Sequence, residues 1–136
     1  MDRTSYYEIG GKMYPMRFGI SATKKINERF GGIDKMADVL TGETDLSKLL
    51  DTVIFVLETL INQGCSYKNI FEKDIPAPAK APVIDGKWVP LTTEELEVGI
   101  DITEVESLTK AIMKAYTGGA KKEISADSKE KKEEAM

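Results

Sequence analysis

The residue types that most often carry chemistry are scarce in this chain. It contains no histidine, the side chain most used as a general acid or base near neutral pH and the commonest zinc ligand. Its one cysteine, Cys65, sits between Gly64 and Ser66. A nucleophilic thiol needs a base beside it, and a disulfide or thiolate cluster within the chain needs a second cysteine. Cys65 therefore reads as a small residue at a helix end. Carboxylates do cluster, at Glu94-Glu95-Glu97 and at Glu104-Glu106. Both groups fall where helices are expected to begin, so capping and the helix dipole account for them without an acid–base pair. Asp34, Asp38, Asp45 and Asp51 do not follow a calcium-loop spacing. The pairs Gly10-Gly11, Gly31-Gly32 and Gly118-Gly119 belong to no phosphate-binding pattern and read as turns or helix stops. The expectation is a protein without catalytic residues, cofactor or metal.

Charge narrows the partners. The 136 residues carry a net charge of −4, and the only arginines are Arg3, Arg17 and Arg29. Arginine is favoured for bidentate phosphate and base contacts, and the pairs Lys24-Lys25 and Lys121-Lys122 are too small for a phosphate-binding stripe. Neither nucleic acid nor an anionic membrane is expected as a partner. The polar start MDRTSYYEIG reads as no signal peptide, and the longest apolar run, Val53 to Leu57, is too short to span a bilayer. A cytoplasmic location is expected.

The elements that would position any working residue are mostly helical. Ser5 to Phe18 predicts a β-hairpin about Gly10-Gly11, with Ile9 opposite Lys12, Tyr7 opposite Tyr14 and Ser5 opposite Met16. Tyr7, Ile9, Tyr14 and Met16 then share an apolar face. Pro15 falls opposite Tyr6 at a non-hydrogen-bonded position, which predicts an edge strand there. Ser21 reads as the N-cap of a helix over Ala22 to Phe30, stopped by Gly31-Gly32. A second helix follows from Ile33 to Leu40; the apolar spacing also allows one kinked helix, but two are favoured.

The strongest periodicity runs from Leu46 to Gln63, with Asp45 as cap and Gly64 as stop. Leu46, Leu49, Leu50, Val53, Ile54, Leu57, Leu60 and Ile61 form one stripe. Phe55 and Val56 lie off it, so this helix either packs from two sides or offers its second side to a partner. Ser66 to Lys73 suggests a short helical turn, and the prolines between Ile75 and Pro90 exclude regular helix. Within VIDGKWV, Asp85-Gly86 signals a second hairpin, where Trp88 either pins the loop to the helices or anchors a contact. Thr92 with Glu95, and Asp101 with Glu104, have capping-box spacing. The last helix buries Val105, Leu108, Ile112 and Ala115 or Tyr116, and Gly118-Gly119 end it.

The expected fold is α+β and mainly α: an N-terminal β-hairpin followed by four to five helices, with a second small hairpin near residues 83–89. Residues 1–119 form a single domain. Residues 120–136, where five lysines face five acidic residues and Ile124 is the only large apolar residue besides the terminal Met136, read as a charged, disordered tail.

One resemblance adds to this reading. The run YYEIGGKMYPMRFGISATKKINERFGGIDKM, followed by LLDTVIFVLETLINQG, resembles the tail assembly chaperones of long-tailed (siphovirus-type) phages and prophages of Firmicutes. The shared pattern is a hairpin carrying G-K-x-Y-x-x-R-F, a helix of the type K-x-I-x-E-x-F-G, and a later amphipathic helix ending in glycine. It covers residues 5 to 64 and extends loosely to 117. The resemblance implies a protein that binds the tape-measure protein in the host bacterial cytoplasm, keeps it soluble during tail-tube assembly, and is absent from the mature virion. The major tail tube protein and further copies of the chain are other partners it brings into view. The alternatives are a structural tail component retained in the virion and a host adaptor or regulatory module. The expected partner-binding residues are Tyr7, Tyr14, Met16, Phe55, Val56 and Trp88. Adaptable methionines such as Met13, Met36 and Met113 support a binding surface.

Overall fold

A computed structural model of the chain describes residues 3–117. The stop expected at Gly118-Gly119 and the charged segment 120–136 lie outside the described residues.

Strands β1 (Ser5–Ile9) and β2 (Lys12–Met16) form the expected antiparallel hairpin, with Ser5 opposite Met16, Tyr7 opposite Tyr14 and Ile9 opposite Lys12. Gly10 and Gly11 turn it at φ 59° and 82°, values a side chain resists. Among the described residues no third strand pairs with β2, so it is an edge of its sheet. That edge is nonetheless covered. The Met13 N–H donates to the Lys80 carbonyl at 2.8 Å and the Arg17 N–H to the Leu60 carbonyl at 3.1 Å. Pro15, between them, needs no acceptor.

Helix α1 (Ile20–Phe30) begins one residue before the expected Ser21 cap, with Gly19 at the N-cap. The cap comes from elsewhere in the fold: the Gln63 side-chain Oε1 accepts from the Ala22 N–H at 2.8 Å. Gly31 and Gly32, at φ 82° and 147°, then separate α1 from α2 (Ile33–Gly42), so the two are distinct helices. Helix α2 runs past its expected end at Leu40, and the Thr41 hydroxyl donates back to the Ala37 carbonyl.

Helix α3 (Leu46–Phe71) organises the fold. Asp45 caps it as expected, accepting from the Lys48 N–H at 3.2 Å. It does not stop at Gly64. That glycine lies inside the helix, where the Pro15 backbone crosses it so closely that an added Cβ would stand 2.6 Å from the Pro15 carbonyl carbon. Gly64 therefore serves close approach, and Cys65 sits within the helix and not at its end. Val53, Val56, Leu57, Leu60 and Ile61 are buried, and the first hairpin, α1, α2, α4 and the second hairpin all pack around α3.

The second hairpin pairs β3 (Val83–Ile84) with β4 (Lys87–Trp88) about Asp85 and Gly86, both at positive φ. Both expected capping boxes are present. Thr92 and Glu95 open α4 (Thr93–Gly99), and Asp101 and Glu104 open a 3₁₀ turn (Ile102–Glu104) that runs into α5, residues 105–117. Leu108 and Ile112 of α5 complete one continuous core. The described residues thus form a mainly helical α+β fold of five helices and two hairpins.

Candidate interaction surface

The structure disperses the six residues expected to meet a partner. Met16 and Val56 are fully buried, and Tyr14 and Trp88 nearly so. Val56 faces the interior because α3 is packed from two sides, and Met16 and Tyr14 carry the inner face of the hairpin. These four belong to the core. Phe55 is half-buried, edge-on to Phe30 with ring centroids 5.9 Å apart, under the Arg29 guanidinium at 4.3 Å. Tyr7 is half-buried and its hydroxyl lies 3.2 Å from the Ser107 hydroxyl, tying the hairpin to α5.

Trp88 pins its loop. Its backbone N–H donates to Asn69 Oδ1 at 2.8 Å, and its carbonyl accepts from Asn69 Nδ2 at 2.9 Å. The ammonium of Lys68 lies 5.5 Å from the Trp88 ring, 5.3 Å from the Tyr6 ring and 2.8 Å from Glu72. Burial alone would lower the Lys68 pKa; hydrogen bonds to Glu72 and Tyr6 outweigh it and raise the value. Burial pushes the Cys65 thiol up to about 12, which keeps it protonated and unreactive. The Tyr14 hydroxyl is also raised, by burial first and then by Glu95 and Cys65.

Several grooves open on the surface of the described residues. One of about 470 Å³ lies beside the Phe18–Tyr116 ring pair and includes Arg17, whose guanidinium rests 3.7 Å from the Tyr67 ring centroid and donates to Thr4. A second, of about 510 Å³, runs past Trp88 and is lined by the polar side chains of Lys68, Asn69 and Glu72.

A third differs in kind. It measures about 290 Å³ and lies between the first half of α3 and the stretch from α4 to α5. Its floor is Val53 and Leu96, both buried. Leu50 and Ile54 form one wall, and Ile100 and Val105 the other. Ile102 stands on the rim, 56% exposed. Leu46, one helical turn before Leu50 and 57% exposed, continues the aliphatic strip past the groove. Among the described residues, the charged ones lining it are Glu97 and Asp101. An open, mainly aliphatic groove between helices has the form that receives the apolar face of another helix.

None of the six expected residues lines this groove. Two signals in the sequence could have found it. Leu50, Val53 and Ile54 belong to the main stripe of α3. Ile100 and Val105 flank the Asp101 capping box at the N′ and N4 spacing of a hydrophobic staple.

Among the described residues no three of His, Cys, Asp and Glu converge as a metal site, and no helix is long and apolar enough to cross a membrane. Comparison of the chain with protein-family models, with curated proteins and with solved structures found no match.

Proposed function

We propose that this chain works by binding and not by catalysis, as a phage tail assembly chaperone that holds the tape-measure protein in solution in the host bacterial cytoplasm while the tail tube assembles, and then leaves. The observation that carries the reading is the aliphatic groove between α3 and the α4–α5 stretch, with Ile102 exposed on its rim. A chaperone for a long, aggregation-prone helical protein needs apolar surface that is open, shallow and bounded by polar residues, so that binding is reversible. The resemblance over residues 5 to 64 supplies the identity of the partner.

Co-expression with a tape-measure candidate from the same genome tests the reading. The candidate should move from the insoluble to the soluble fraction and co-purify with this chain. A candidate that is just as insoluble with the chain as without it refutes the proposal. Mass spectrometry of purified virions supplies an independent check. The chaperone reading expects the chain to be absent, and stoichiometric presence would favour a structural tail component.

A further inference from the structure

We infer that the α3/α4–α5 groove selects a basic amphipathic helix, one whose aliphatic stripe is flanked by lysine or arginine. The inference rests on the chaperone reading for its biological partner, and on the groove alone for its chemistry. Helices α3, α4 and α5 and the 3₁₀ turn between the last two form the walls, and among the described residues no strand lines the groove, so no strand edge is available for an added strand. The occupant must therefore bring side chains. The lining that receives them is aliphatic, with neither an aromatic ring nor a hydrogen-bonding amide.

Length sets the number of anchors. From Leu46 to Ile54 the strip runs about 12 Å along α3 at about 1.5 Å per residue. Two turns of a docked helix match it, which places anchors at i, i+3 or i+4, and i+7. Charge sets the flanks. Among the described residues, Glu97 and Asp101 line the groove and no cation does. Asp101 accepts from the Thr103 N–H as a cap, while Glu97 makes no hydrogen bond or ion pair among the described residues. Lysines beside the anchors would meet two carboxylates that no side-chain cation pairs among the described residues, and glutamates there would be repelled.

The test uses the full chain and fluorescein-labelled, helix-forming peptides of about 16 residues, long enough to cover the strip. Each carries leucine at i, i+4 and i+7, flanked by lysine, glutamine or glutamate. Fluorescence anisotropy should rank them lysine, glutamine, glutamate. Two partly exposed ion pairs predict a step of about three- to thirty-fold between lysine and glutamine, shrinking as salt rises from about 0.05 to about 0.5 M.

Glu97→Gln with Asp101→Asn, which keeps the cap, should abolish the ranking while leaving binding. Ile102→Asp, at an exposed rim position, should abolish binding without unfolding the protein. Val98→Asp, at an exposed position outside the groove, should change nothing. Equal affinity for the three peptides overturns the inference. So does concentration-dependent self-association that Ile102→Asp abolishes, because the occupant would then be a second copy. Tighter peptide binding after Lys121, Lys122, Lys131 and Lys132 are changed to glutamate would also overturn it, by making the chain's own segment the occupant. The failures of the two readings are separable. A soluble tape-measure candidate with no peptide binding sinks the groove inference alone, and peptide binding with an insoluble candidate sinks the chaperone reading alone.

Discussion

Replacing Gly64 with alanine would, on helix propensity alone, stabilise the protein by about 1 kcal/mol, because Gly64 lies in the interior of α3. The fold predicts the opposite sign. The new Cβ would stand 2.6 Å from the Pro15 carbonyl carbon, 3.0 Å from the Pro15 Cβ, and nearer still to the carbonyl oxygen. Ordinary contact begins near 3.4 Å, so strand β2 must retreat by several tenths of an ångström. It is not free to do so. The Met13 N–H is tied to Lys80 and the Arg17 N–H to Leu60, one on each side of Pro15. Overpacking costs about 1–3 kcal/mol, and a strained or lost hydrogen bond about 0.5–1.5 kcal/mol. After the propensity gain is subtracted, Gly64→Ala should destabilise by about 1–3 kcal/mol. For a domain of this size that lowers Tm by roughly 3–15 °C. Thermal unfolding followed by circular dichroism at neutral pH measures it. Gly42→Ala, near the end of α2 with nothing within 4 Å of the added Cβ, is the control and should be neutral or mildly stabilising. A Gly64→Ala protein with a Tm equal to or above the parent would refute the close-approach argument.

Three further outcomes follow from the same contacts. Asn69→Ala removes both hydrogen bonds that hold the Trp88 backbone and should destabilise by about 2–3 kcal/mol. The emission of Trp88, the chain's only tryptophan, should shift red below the global Tm, and an unchanged spectrum would contradict the clamp. Gln63→Ala removes the remote cap of α1 and should cost about 1 kcal/mol, with faster hydrogen exchange at the Ala22 amide; unchanged protection there would refute the capping role. Stability should also fall at alkaline pH. The folded-state pKa of Cys65 is raised from its ordinary 9.0 to about 12, so the unfolded chain ionises first. Its contribution, on the order of 4 kcal/mol, is complete below pH 9 and is lost progressively as pH rises to about 12. Lys68 and Tyr14 are raised too and act with the same sign. Urea midpoints measured from neutral pH to pH 11 should fall, and Cys65→Ala should flatten the fall; an identical slope in that variant would show that the thiol does not contribute.

The features legible in the sequence are those fixed within three or four residues. Both hairpins, the Asp45 cap and the two capping boxes depend on turn dihedrals or on a side chain meeting a nearby backbone N–H, and no distant residue changes that. The misread boundaries depend on distant parts of the chain. A glycine after a long apolar stripe reads as a stop, and the same glycine reads as a close-approach site once β2 is known to cross it. Nothing between Leu46 and Ser66 distinguishes the two. Ser21 is a good local cap that loses to Gln63, whose side chain arrives from α3 and is placed by tertiary packing. The stripe of α3 showed that the helix would be apolar on more than one side. Whether Phe55 and Val56 met water depended on how α1 and α2 closed over them, and Phe30 with Arg29 now covers Phe55.

The same reasoning explains why an open apolar surface occurs where it does. The extension of α3 beyond Gly64 is occupied with the second hairpin, through Asn69 and Lys68. At its other end, the flank between Leu46 and Ile54 faces, among the described residues, the seven-residue α4, the 3₁₀ turn that follows and Val105 at the start of α5. Helix α4 reaches about 10 Å, less than the strip it would have to cover. The chain then breaks helix at Ile100 to cap the next turn at Asp101, so the line of cover is interrupted where the aliphatic wall continues. The groove is therefore a consequence of element lengths and not of an unusual composition. Lengthening α4 at the expense of the Asp101 cap would close it. The Asp101 cap thus leaves Ile102 held outward beside Asp101 and Glu97, where a longer α4 would have covered the wall.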